Sequence, residues 1–123
     1  MAKKKILLID EEPYIRDTLK VKLTSRGYQV LLSDNGKEAM KLAIKQLPDL
    51  IIMDILLSSG DAYKFCQKLR GLSRTKDIPL FILTSKSKDP ETTFSYNIWA
   101  QQYITKPFSI DKLMKYIEKV LSK

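Results

Sequence analysis

The sequence predicts an α/β domain built on a five-stranded parallel sheet with helices on both faces. Apolar runs alternate regularly with amphipathic segments along the chain. Each run is apolar throughout rather than at every second residue, which is the pattern of strands buried on both faces. At 123 residues the chain has room for one such core and for no second folded domain, so residues 1–123 read as a single domain with no effector attached.

The elements follow in order. "KILLID" (5–10) is a buried strand, and "EEPYIRDTLKVKLTSRG" continues as a helix. Pro13 suits its first turn, Ile15, Leu19 and Leu23 form an i, i+4, i+8 stripe, and Gly27 stops it. "YQVLLS" is a second strand, followed by a helix capped by Asp34 or Asn35, striped by Ala39, Leu42 and Ala43 and ended by Pro48. "DLIIMD" is the third strand. Beyond "ILLSSG", the segment "DAYKFCQKLRGL" places Ala62, Phe65, Cys66 and Leu69 on one helical face, so Cys66 reads as a packing residue. "IPLFILT" (78–84) is the fourth strand and "QYIT" (102–105) a short fifth. Between them, "SKSKDPETTFSYNIWAQ" holds Pro90 but is rich in poor helix formers, and reads as a short or distorted fourth helix. "SIDKLMKYIEKVLSK" closes the chain as a helix capped by Ser109, with Ile110, Leu113, Met114, Ile117, Val120 and Leu121 facing inward.

Composition excludes several functions. No apolar run approaches the roughly 18 residues of a membrane span. The start "MAKKKILLID" has too short an apolar stretch for a secretory signal, so a cytoplasmic location without membrane insertion is expected. There is no histidine and one cysteine, which removes Ser-His-Asp and Cys-His machinery, typical zinc sites and any intramolecular disulfide. The net charge is +8, and residues 62–88 hold seven Lys/Arg against the single acid Asp77. No nucleic-acid motif organises these cations, so they read first as a solvated surface and only second as a polyanion contact, and direct nucleic-acid binding is not expected.

One residue breaks the apolar pattern. In "LIIMDILL" (50–57), Asp54 is a carboxylate within seven apolar side chains. An unpaired buried carboxylate costs several kcal/mol, against roughly 5–15 kcal/mol for the stability of a whole domain. In a doubly wound sheet the ligand crevice lies at the carboxyl ends of the strands, where winding reverses. Asp54 ends its strand and Asp10 and Glu11 end the first, so if those strands are neighbours three carboxylates meet at one edge. Thr84 and Lys106, at the ends of the fourth and fifth strands, belong to the same edge. Three close carboxylates repel unless a cation joins them, and an all-oxygen set suits a hard divalent ion such as Mg²⁺.

With "LLIDEEP", "DLIIMDILL", "IPLFILTSK" and "YITKPF" in this order and spacing, the chain resembles the receiver domain of two-component response regulators along its whole length. The resemblance implies a flavodoxin-like sheet of order 2-1-3-4-5 and a phosphoacceptor role in phosphorelay signal transduction. Asp54 would take a phosphoryl group from a phosphohistidine on a sensor histidine kinase or phosphotransfer protein. Glu11 and Asp54 would ligate Mg²⁺ directly, Asp10 through water, and the backbone carbonyl of Leu56 would complete the set. Lys106, followed by a cis Pro107, would pair with the phosphoryl oxygens. Thr84 and Tyr103 would be the switch pair, signalling to a downstream protein through the face formed by the fourth helix, fifth strand and fifth helix. The protein would be a phosphoacceptor, not a turnover enzyme.

Some positions depart from the family's pattern. Glu11 stands where Asp is usual, Ser58 where proline is frequent and Ala62 where glycine is frequent; the last two bear on the path of loop 55–61. Trp99, Ala100, Gln101 and Gln102 replace a common Gly-Ala-Asp-Asp. The lost acidic pair removes salt-bridge partners used in dimers, which points to a monomer or an unusual dimer, and Trp99 would remodel the output face. Leu56 and Lys86 sit where the family tunes acyl-phosphate hydrolysis, and a bulky Leu56 would slow it. An alternative is a receiver-like interaction module acting without phosphorylation, although no site residue is lost. A phosphatase would want an acid at Leu56, and a flavin or nucleotide carrier would want a glycine-rich loop where "DEEP" stands.

Overall fold

The computed structural model describes residues 3–85 and 99–122. Five strands, β1 (Lys5–Ile9), β2 (Gln29–Ser33), β3 (Leu50–Asp54), β4 (Leu80–Thr84) and β5 (Gln102–Thr105), form one parallel sheet in the order β2-β1-β3-β4-β5. The helices among the described residues are α1 (Pro13–Ser25), α2 (Gly36–Gln46), α3 (Ala62–Gly71) and the closing helix α4 (Ile110–Leu121). The helix expected around Pro90, and Lys86, lie outside the described residues.

The inner strands β1, β3 and β4 are apolar on both sides because each side has helices to meet. Ile6, Leu8, Leu50 and Ile52 face α1 and α4, in a core with Leu19, Leu23, Met114 and Ile117. Leu7, Ile9, Ile51 and Met53 face α2 and α3, in a core with Met40, Ala43, Phe65 and Cys66. The core residues of β1 and β3 are fully buried. At roughly 1.5–3 kcal/mol per large apolar side chain buried, these two cores dominate the favourable side of folding.

Local signals fall where expected. Pro13 opens α1, Asn35 caps α2 by accepting from the Glu38 N–H at 2.8 Å, and Ser109 caps α4 by accepting from the Lys112 N–H at 3.2 Å. Gly27, at φ 92°, carries the chain out of α1. Helix α2 ends earlier than Pro48, with Leu47 in the left-handed region at φ 47°. Strand β4 begins at Leu80 rather than Ile78, because the Ile78 carbonyl is taken by the Arg70 guanidinium at 2.7 Å.

Candidate functional site

The strand order makes β1 and β3 neighbours at the point where winding reverses. Their register pairs Ile9 with Met53, so the next residues, Asp10 and Asp54, stand side by side at the carboxyl edge. Asp10 is wholly buried and Asp54 is 4% exposed. Lys106, carried just past β5, answers the charge. Its Nζ donates to Asp54 Oδ2 at 2.8 Å, Asp10 Oδ2 at 2.8 Å and Glu12 Oε1 at 3.0 Å. The other oxygens are engaged too: Asp10 Oδ1 accepts the Glu12 N–H at 3.0 Å and Asp54 Oδ1 accepts the Leu56 N–H at 2.8 Å.

Burial pushes the Asp10 carboxyl above the ordinary carboxylate range, and the Lys106 ammonium with the Glu12 N–H pulls it back only in part. Burial would lower the Lys106 ammonium, but the hydrogen bonds it donates to Asp10, Asp54 and Glu12 outweigh it and hold the lysine charged well above its usual range. Three carboxylates around one ammonium leave the cluster net negative.

Thr84 is fully buried at the end of β4, and its carbonyl accepts the Lys106 N–H at 2.8 Å, which fixes where the lysine leaves the sheet. The Lys106–Pro107 peptide is cis. Tyr103, on β5, packs against the α2/α3 core, and its buried hydroxyl has no hydrogen-bond partner among the described residues.

The family model for the response regulator receiver domain matches residues 6–118. The chain belongs to that family. Among similar proteins, the DNA-binding dual master transcriptional regulator RpaA of Synechocystis sp. is 33% identical over 117 residues, 95% of this chain and 48% of that protein. This receiver domain spans about half the length of the curated relatives it matches. The chemotaxis protein CheY4 of Vibrio cholerae superposes with a TM-score of 0.88 at 30% identity, covering 98% of this chain and 100% of that one. The receiver domain of a sensor histidine kinase of Pseudomonas aeruginosa, solved with a magnesium ion coordinated in its active-site cleft, gives 0.89 at 25% identity, covering 99% and 100%.

Within this receiver domain one acid departs from expectation. The structure gathers Asp10, Glu12 and Asp54, which bring one carboxylate oxygen each to within 4.8 Å of one another. Glu11, the expected ligand, turns to loop 55–61 instead. Its carboxylate accepts the Ser58 N–H at 3.0 Å and the Ser58 hydroxyl at 2.7 Å. The reason is local donor supply, because Ser58 offers two hydrogen bonds where a proline would offer none. Nothing local in the sequence distinguishes Glu12 from a solvated helix-start acid; only the position of Lys106 recruits it. Of Leu56, the structure shows the N–H on Asp54 and a side chain 40% exposed.

The substitutions near β5 also acquire partners. Trp99 packs edge-on against Tyr63 of α3, with ring centroids 4.8 Å apart at 70°, and its carbonyl accepts from Arg70 at 2.7 Å. This tryptophan is therefore tied to α3. Gln101 accepts the Leu80 N–H at 2.7 Å through Oε1 and donates its own N–H to the Leu80 carbonyl at 2.9 Å, so it pins the start of β4. Cys66 is buried, and burial pushes its thiol up to about 12, which suits a packing residue and not a nucleophile. No helix among the described residues is long and apolar enough to cross a membrane.

Proposed function

We propose that this receiver domain is a cytoplasmic phosphoacceptor in which Asp54 takes a phosphoryl group from a phosphohistidine of a sensor kinase or phosphotransfer protein. The observation that carries the proposal is Lys106, its side chain 9% exposed, bridging Asp54 and Asp10 at 2.8 Å each. Phosphoryl transfer needs an aligned nucleophile and positive charge near the transferring oxygens, with little other chemistry. The Leu56 N–H holds one Asp54 oxygen and Lys106 the other, so the carboxylate is oriented before the donor arrives.

In the transfer, an Asp54 carboxylate oxygen attacks phosphorus, the N–P bond of the phosphohistidine breaks, and the leaving imidazole takes up a proton. Lys106 then pairs with a phosphoryl oxygen. The buried Thr84 hydroxyl moves toward the acyl phosphate, and Tyr103, already against the core with an unsatisfied hydroxyl, follows as the switch aromatic toward a downstream protein.

The net-negative, all-oxygen cluster of Asp10, Glu12 and Asp54 fits a hard divalent ion such as Mg²⁺. The family resemblance adds Glu11, on release from Ser58, and the Leu56 carbonyl. When bound, the ion supplies positive charge to the phosphoryl oxygens.

The test is incubation with acetyl phosphate, with and without MgCl₂, followed by intact mass alongside Asp54→Asn. A metal-dependent gain of one phosphoryl group, absent in the variant, is expected. No gain from acetyl phosphate or from a phosphorylated kinase domain overturns the proposal and favours the interaction module.

A further inference from the structure

The fold gathers part of the unexplained basic charge onto one groove. Helices α2 and α3 lie side by side on the same face of the sheet. Between them runs a groove of about 470 Å³ with Met40, Ile44 and Phe65 among its lining residues. Lysines stand on both banks: Lys37 and Lys41 from α2, Lys64 and Lys68 from α3, all exposed. Lys41 pairs with Glu38 at 3.4 Å. The ammonium groups of Lys37, Lys64 and Lys68 take part in no ion pair among the described residues.

Among the described residues one carboxylate lines the groove, and its charge is already answered. Asp61 accepts the Gly36 and Lys37 N–H groups at the start of α2, both at 2.9 Å, and the Ser59 hydroxyl at 2.6 Å. Burial alone would raise this carboxyl, but those hydrogen bonds outweigh it and hold it below the usual carboxylate range. The charge offered to solvent along both banks is therefore positive.

We propose that the α2/α3 groove is a docking surface for an acidic amphipathic helix of a partner protein, separate from the phosphoacceptor edge and independent of phosphotransfer. Charge complementarity commits the occupant. Two rows of lysines about a narrow floor, where the half-buried Ile44 lies over the buried Met40 and Phe65, match a helix with one narrow apolar stripe and carboxylates on its flanks. Nucleic acid is a poorer match: among the described residues the groove is lined by lysines without an arginine fork for phosphate and by no exposed aromatic on which a base would stack. A helix in the groove also covers Ile44, which is half-buried, whereas a phosphate backbone does not.

The test is selection of a displayed library of helical peptides, with acidic and apolar positions varied, against the whole chain. Lys37→Glu/Lys64→Glu/Lys68→Glu serves for counter-selection. A selected peptide is then titrated into ¹⁵N-labelled protein, beside a random DNA duplex. The expected result is enrichment of acidic amphipathic sequences that shift α2 and α3 amides. Their affinity falls about tenfold or more in the triple variant and several-fold at high salt. Ile44→Ala, which leaves the charges in place, should also weaken binding. Circular dichroism of each variant confirms that it is folded. Absence of enrichment, shifts mapping elsewhere, binding indifferent to Ile44, or equal shifts from the duplex overturns the proposal.

Discussion

Asp61 caps a helix to which it does not belong. It precedes α3, yet its Oδ1 accepts the N–H of Gly36, the first residue of α2, at 2.9 Å. A Cβ on Gly36 would lie 2.7 Å from that oxygen and 3.0 Å from the Asp61 carbonyl oxygen, so glycine is what lets the two loops close. Loop 55–61, which also carries Ser58 and the Leu56 N–H, is thereby fastened to α2.

Gly36→Ala is expected to cost about 1–3 kcal/mol, as overpacking of a closed contact does. Asp61→Ala is expected to cost about 1 kcal/mol at pH 7 through loss of the cap. The pair should be non-additive, since removing the carboxylate relieves most of the clash. A folded-state carboxyl held low adds stability above the ordinary carboxylate range and loses it as pH falls through its own lowered value. The Asp61→Ala deficit should therefore shrink in strong acid. Urea unfolding of both single variants and the double variant at pH 7 and in strong acid checks this; additive costs or a pH-independent deficit would refute it.

Lys106 and Asp10 should respond in opposite directions. Lys106→Met leaves Asp10 and Asp54 buried without their cation and is expected to cost about 2–4 kcal/mol at neutral pH. Added MgCl₂ should return part of that loss. The raised lysine contributes stability throughout the range below its ordinary value and loses it only at strongly alkaline pH. Asp10 is raised, so its ionised form weighs on the fold at neutral pH. Asp10→Asn is expected to gain about 1 kcal/mol at pH 7. The gain should shrink as pH falls toward the carboxylate range, because the wild-type acid then takes up its proton. Unfolding curves across pH, with and without MgCl₂, decide both.

Arg70 joins three backbone carbonyls, those of Lys76 at 2.9 Å, Ile78 at 2.7 Å and Trp99 at 2.7 Å. Arg70→Lys keeps the charge but not the planar fork, and should lose about 1–3 kcal/mol. The chain has one tryptophan, so Trp99 emission reports the same bond directly. A red shift and faster acrylamide quenching are expected in the variant; unchanged emission would show that Arg70 does not hold this segment.

Leu47 is 41% exposed in a backbone conformation that costs an L-residue roughly 1–2 kcal/mol. Leu47→Gly should stabilise the protein by about 0.5–1 kcal/mol, since little packing is lost. Thermal unfolding that shows a lower midpoint would mean that its side chain matters more than its φ.

Much of this molecule was legible in one dimension. Elements β1 to β5 and the helices α1 to α4 rest on runs, stripes and caps such as Pro13, Asn35 and Ser109, each a matter of a few consecutive residues. Asp10, Asp54, Thr84 and Lys106 were legible for a related reason: in a parallel sheet, residues that end strands share an edge whatever else happens. Tertiary structure alone decided which distant partner a polar group found. Glu12 rather than Glu11 faces Lys106 across 94 residues, Asp61 serves Gly36 across 25, and Arg70 reaches Trp99 across 29. Periodicity records which side of an element is buried, because burial acts on every turn or alternate residue. A hydrogen bond between distant loops depends on ångström placement set by the packed core, and it leaves no period in the chain.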